Sequence, residues 1–223
     1  MGEYTIELIK ILIWPVLFIV ILLLFRKPIS TFIENWKKAE VKVDKSGITI
    51  AAETVTETVR NITKASIERA VSVEENERGR YIEEGFKGVS DTITKIQNYF
   101  DKIRNRKILW VDDHPEWNIN EKSAFETMGI KITWCLTNEE SLNKLKNENF
   151  DVIISDLFSD EGYPKGFDLL GELKTKKIPL IFYTGRVTQN LKEKAEDKGA
   201  YGIVDSPALL TSKVLSAIIG GEM

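Results

Sequence analysis

The sequence predicts an α/β fold for its C-terminal half, a five-stranded parallel sheet wound on both faces by helices, preceded by a transmembrane helix and a helical stalk. Three observations predict it. From Lys107 onward short apolar runs alternate with amphipathic stretches; a proline-free, helix-patterned region lies before them; and residues 11–25 carry no charge at all.

Composition narrows the class. Of 223 residues, 43% are apolar and 29% charged, which excludes wholesale disorder, a collagen-like chain and a polytopic membrane protein. The net charge of −3 is unevenly spread, −1 over residues 1–25, +4 over 26–107 and −6 over 108–223. One cysteine, Cys135, and one histidine, His114, are too few for a disulfide framework or a structural zinc site. Cys135 is expected in the core beside Trp134 on an interior strand. His114 is a candidate at a ligand-facing rim.

Residues 1–27 read as a transmembrane anchor. The run ILIWPVLFIVILLLF, extended back to Leu8, makes a helix of 18 residues, about 27 Å long at about 1.5 Å per residue. No basic region precedes it and no small-residue cleavage site follows it, which separates it from a signal peptide. Lys10 can snorkel toward the headgroups. Arg26, Lys27, Lys37, Lys38 and Lys42 follow the span, so the positive-inside rule places a short N-terminus outside and everything after Phe25 in the cytoplasm, at the inner (cell) membrane.

Residues 28–52 read as a juxtamembrane helix, with Ile29, Phe32, Ile33 and Trp36 at helical spacing, followed by a small β-hairpin pairing Val41–Val43 with Gly47–Ile50. Residues 53–106 read as a helical stalk. Ile82, Phe86, Val89, Ile93, Ile96, Phe100 and Ile103 are spaced alternately four and three apart, a heptad seam that suits a parallel coiled-coil homodimer or docking on the domain behind it. Gly85 and Gly88 each weaken a free helix by about 1 kcal/mol. A break is expected near Glu74–Glu77.

Residues 107–223 hold five strand-like runs: Ile108–Val111, Ile130–Trp134, Val152–Ser155, Leu180–Tyr183 and Tyr201–Val204. Helical stretches fall at about 120–128, 139–146, 167–175, 188–198 and 209–219. In such a sheet ligands bind beyond the carboxyl ends of the strands. Asp112, Asp113 and His114 follow the first run, Asp156 the third, Thr184 and Gly185 the fourth, and Ser206 and Pro207 the fifth. Three carboxylates close together raise one another's pKa unless a cation neutralises them, and hard oxygens suit Mg2+. A carboxylate beside such an ion can act as a nucleophile toward phosphorus.

The acidic pair in ILWVDD, the lone aspartate in VIISDL and the threonine in IFYTG, spaced 43 residues from Asp113 to Asp156, 28 to Thr184 and 22 to Ser206, resemble the receiver domain of two-component response regulators. The resemblance covers about Lys107 to Ile219 and implies a flavodoxin-like strand order, 2-1-3-4-5. It implies Asp156 as phosphoacceptor and Mg2+ held by Asp112, Asp113, Asp156 and the Phe158 carbonyl. Thr184 would move to the phosphoryl oxygens, and the phosphoryl donor would be a histidine kinase or phosphotransfer protein.

The departures from that pattern are specific. Ser206, preceded by Asp205, stands where receivers carry a lysine, Ile203 stands at the switch aromatic, and LFSDEGYPKG after Asp156 is longer than usual and lacks Met-Pro. Three readings therefore stay open: a membrane-anchored phosphorelay receiver that signals through its stalk or a partner, a pseudo-receiver acting as a membrane-tethered adaptor, and a membrane-linked stress or defence effector. No enzyme activity is expected beyond Mg2+-dependent self-phosphorylation and dephosphorylation. Adjacent aspartates do not make the D-x-D of a dehalogenase-type phosphatase, and Asp-Asp-His-Pro is the opposite of a dinucleotide-binding glycine turn. The acidic domain does not suit nucleic acid. With the chain ending at Met223, no output domain is expected after the receiver-like part.

Overall fold

The computed structural model describes residues 45–158, 162–173 and 176–220. The described residues fall in one compact unit beginning at Lys45. The expected membrane span, the juxtamembrane helix and the strand at 41–43 lie outside the described residues, as do Asp160 and Glu161 of the loop after Asp156. Among the described residues, no helix is long and apolar enough to cross a membrane.

Two long helices come first, α1 (Lys45–Ser72) and α2 (Glu75–Ile103). The chain turns between them at Val73 and Glu74, where four acidic or amide residues in a row, Glu74–Glu77, leave nothing apolar to bury. The second strand of the expected hairpin does not form, because residues 47–50 lie in the opening turns of α1. A four-residue alternation is a weak signal beside a 28-residue helix that packs along its length on α2.

The sheet follows as β1 (Lys107–Val111), β2 (Lys131–Cys135), β3 (Val152–Ser155), β4 (Leu180–Tyr183) and β5 (Gly202–Val204). All pairs are parallel and the order is β2-β1-β3-β4-β5, the flavodoxin-like arrangement. The helices are α3 (Ile119–Thr127), α4 (Asn138–Asn147), α5 (Lys165–Glu172), α6 (Gln189–Asp197) and α7 (Pro207–Gly220). Thr137 and Thr188 cap α4 and α6, their hydroxyls accepting from the Glu140 and Leu191 N–H groups. Alternation along each strand sorts the core. Ile108, Trp110, Val152, Ile154, Ile181 and Val204 face α3 and α7, while Leu109, Val111, Ile153, Phe182 and Ile203 face the other layer. Cys135 closes β2, an edge strand rather than an interior one, yet is buried, and that burial pushes its thiol up to about 11.

The heptad stripe of α2 is the main correction. Val89, Ile96 and Ile103 are buried against the same chain, Ile96 and Ile103 in the core beneath α7, while Ile82 is half exposed. Ile62 of α1, Val89 of α2, Ala124 of α3 and Ala208 of α7 meet in one cluster. The coiled-coil seam is thus used within the chain, and the expected stalk is a helical hairpin docked on the α3–α7 face. Gly88 shows why: a Cβ there would lie 2.5 Å from the Ala208 backbone carbon, so the absent side chain lets α2 approach the start of α7.

Gly88→Leu is therefore expected to lower stability by about 1–3 kcal/mol by overpacking, read as a drop in melting temperature, despite the gain in helix propensity. Phe86→Glu and Ile93→Glu are expected to destabilise the chain without changing its molar mass in sedimentation. A variant that halves the mass at unchanged melting temperature would restore the dimer seam.

Candidate functional site

The carboxyl ends of β1, β3, β4 and β5 carry the site. Parallel pairing aligns them: the Asp112 N–H donates to the Cys135 carbonyl (3.0 Å), Asp156 N–H to Val111 (2.9 Å) and Thr184 N–H to Val204 (3.1 Å). The ladder therefore extends one residue past each of these strands and sets the functional positions at a common level.

Asp112 is buried and Asp113 half-buried. The Asp112 carboxylate accepts from the His114 N–H and from Asn118 Nδ2, each at 2.8 Å. Burial raises the Asp112 pKa above the usual carboxylate value despite these bonds, and the charge of Asp113 adds to the rise. Asp156 is pushed up to about 6, chiefly by burial and further by the charges of Asp112 and Asp113, against a lowering contribution from the Phe158 N–H, which donates to its Oδ1 at 3.3 Å. Gly166 permits this packing, since a Cβ there would lie 2.8 Å from the Asp156 carbonyl oxygen.

Thr184 is 7% exposed and Ser206 1% exposed. The Ser206 hydroxyl, standing where receivers place an ammonium, is buried with no hydrogen-bond partner among the described residues. At the rim the His114 ring stacks on Trp117 at 4.0 Å, and Trp117 is 72% exposed.

Among the described residues, no three acidic, histidine or cysteine side chains converge where a metal ion could be held. In the expected Mg2+ set of Asp112, Asp113, Asp156 and the Phe158 carbonyl, each Asp112 oxygen accepts one hydrogen bond and keeps a second lone pair. The donor chemistry suits a hard divalent cation, since the set offers oxygens alone and two of its acids are raised by burial and, after it, by their neighbours' charge.

Several participants lie outside the expected set. Asp205, 2% exposed, accepts from Arg80 Nη2 (3.1 Å), Tyr81 Oη (2.9 Å) and the Val187 N–H (3.0 Å). Arg69 of α1 donates to the Gly185 carbonyl, one residue past Thr184. Tyr183 Oη donates to Glu121 at 2.8 Å, and burial pushes both groups upward. The acid beside Ser206 was visible in the sequence; its partners, 124 and 125 positions away, carry no local signal.

Residues 108–216 match the family model of the response regulator receiver domain, and this part of the chain is such a domain. Over 72 residues the chain is 38% identical to the probable transcriptional regulator ycf29 of Pyropia yezoensis, a match covering 30% of this chain and 32% of that protein, so the chain spans about a third of that relative's length. Similar solved structures include the receiver domain of the Francisella response regulator 1452, at 25% identity and TM-score 0.48, covering 53% of this chain and all of that one. A CheY-like receiver domain protein from Methanospirillum hungatei is 24% identical at TM-score 0.47, covering 53% of this chain and 97% of that one.

With a chelator present, the melting temperature is expected to fall as pH rises from about 4 to about 6 and then to level off. Asp156, and Asp112 in the same sense, bind protons more tightly folded than unfolded, so the folded state loses their contribution as they ionise. Adding Mg2+ at pH 7 is expected to recover that loss, and to do less at pH 5, where protons compete for the same oxygens. A melting temperature that climbs over this interval in chelator and ignores Mg2+ would show that the acids do not share a pocket.

Proposed function

We propose that the chain is a membrane-anchored receiver whose Asp156 accepts a phosphoryl group from a histidine kinase or phosphotransfer protein. One observation carries this reading: a partly buried acid with its pKa raised to about 6 directly follows the central strand β3, beside Asp112 and Asp113 and level with Thr184. In the transfer, an Asp156 oxygen attacks phosphorus, the bond from phosphorus to the donor imidazole nitrogen breaks, and the freed imidazole takes a proton from solvent. Asp112, Asp113, Asp156 and the Phe158 carbonyl would hold a divalent cation, which supplies charge neutralisation when bound. The Thr184 hydroxyl donates to the transferred phosphoryl oxygens. Localisation at the inner membrane, with the receiver in the cytoplasm, rests on the uncharged run 11–25 and the basic residues after it.

A second reading, a non-phosphorylated pseudo-receiver that recruits a partner to the bilayer, is favoured by the partnerless Ser206 hydroxyl in place of a cation. Acetyl phosphate with Mg2+ separates the two. The first reading expects a mass gain of one phosphoryl group in the wild type, lost in Asp156→Ala, and a rate raised by about tenfold or more in Ser206→Lys, the order of one restored charge-stabilising group. A wild type that gains no mass, with Ser206→Lys equally inert, overturns the first reading and leaves the second.

A further inference from the structure

The helical hairpin is held at its two ends by different forces. At its root, Ile96 and Ile103 of α2 are fully buried in the receiver core, and Phe100 packs against it. At its tip, on either side of the turn at Val73 and Glu74, the long-range bonds are polar. Arg69 donates to the Gly185 carbonyl, and Arg80 and Tyr81 donate to Asp205. Both receptors of these bonds belong to the loops that carry the site. Gly185 follows Thr184, and Asp205 precedes Ser206.

These two loops are also tied to each other. Asp205 accepts from the Val187 N–H at 3.0 Å, so the loop after β4 is bonded to the same carboxylate that holds Arg80 and Tyr81 of the hairpin tip. Asp205 is almost inaccessible to water, with its side chain 3% exposed, whereas Arg80 is 37% exposed and shared with Glu77 and Glu84 of its own helix. When it leaves, the arginine has two carboxylates of its own helix to pair with, whereas Asp205 loses its charged partner and keeps neutral donors, the Tyr81 hydroxyl and the Val187 N–H.

We propose that Asp205, gripped by Arg80 and Tyr81, is a latch that holds the hairpin tip on the receiver, and that phosphoryl transfer to Asp156 opens it. The proposal rests on the phosphorylation reading above and adds its output. A phosphoryl group brings about two negative charges to a pocket already holding Asp112 and Asp113. Thr184 is drawn toward it, carrying along the chain Gly185, whose carbonyl holds Arg69 of the tip, and Val187, whose N–H helps to place the Asp205 carboxylate. Opening is confined to the tip, because the root is held by apolar burial that no charge in the site touches. The hairpin thus takes the output role that the switch aromatic plays elsewhere, a position filled here by Ile203, which is 6% exposed and packed on α6 and its neighbours.

The test is hydrogen exchange of the full chain in detergent micelles, comparing peptides from the tip (residues 66–85) with peptides from the root (96–110), with and without acetyl phosphate and Mg2+. Intact mass of the same samples reports the acyl phosphate. Phosphorylated wild type is expected to lose tip protection by about tenfold, the change that one charge-assisted hydrogen bond carries, while root protection stays. Arg80→Gln is expected to give the same loss without any phosphodonor, and Glu77→Gln, which removes only a bond within α2, to leave the tip protected. Tyr81→Phe keeps the buried ring and removes one bond, so it serves where Asp205→Asn fails to fold. Phosphorylated protein with an unchanged tip overturns the latch and leaves the phosphorylation reading standing. Absence of acyl phosphate in the wild type removes that reading and the trigger together. Unchanged tip protection in Arg80→Gln overturns the latch whatever Asp156 does.

Discussion

The close approach of α2 to α7, with Gly88 set against the backbone of Ala208, is the contact on which the remaining architecture hangs. It allows Val89 to reach the cluster shared with Ile62, Ala124 and Ala208, one residue from each of four helices. It also sets the direction in which α2 runs, so that its far end reaches the rim of the sheet where the acidic residues lie. Val89, Ile96 and Ile103 each contribute about 1.5–3 kcal/mol by burial, enough to keep the helix docked without help from charge. An α3–α7 face that is open to solvent in a bare α/β domain is thereby covered by the chain's own N-terminal helices.

Charge is organised by the same contact. The receiver part is acidic, and its site gathers Asp112, Asp113, Asp156 and Asp205 on neighbouring strand ends, with Ser206 supplying no compensating cation. Two of the cations that bond this edge come from outside the receiver, Arg69 from α1 and Arg80 from α2. Asp205 is stable as a buried anion because Arg80, Tyr81 and the Val187 N–H all donate to it. Asp156 is pushed up to about 6 by burial and by the charges of Asp112 and Asp113, against the lowering effect of the Phe158 and Leu157 N–H groups. Two acids at the same edge of the sheet, after β3 and β5, thus meet opposite fates, one locked into structure and one left poised for chemistry.

The strands were readable because a parallel sheet buried on both sides demands continuous apolar runs, and VIIS and LIFY in this chain appear at the positions where the structure places β3 and β4. The site acids were readable for a related reason: residues just past strand ends have fixed positions once the strand order is known. The small hairpin failed as an expectation because a few alternating residues cannot distinguish a strand from one face of a long helix. The heptad stripe of α2 was seen correctly as an apolar seam, with its partner left open between a second chain and the domain behind it. Spacing reports which face is apolar; it carries no information on whether a second chain or the same chain covers it. Gly88, which counts against a free-standing helix, is the residue that permits close packing.

By itself the sequence determined the local periodicities, the order of elements and the acids that follow each strand, since these depend on neighbours within a few positions. Tertiary structure alone decided that Asp205 would find Arg80 and Tyr81 from 125 and 124 positions away, that Asp112 would turn toward Asn118, and that the hairpin would close over its own receiver. The physical reason is that burial, desolvation and pairing of charge are properties of places in space. A place is created only when distant segments pack.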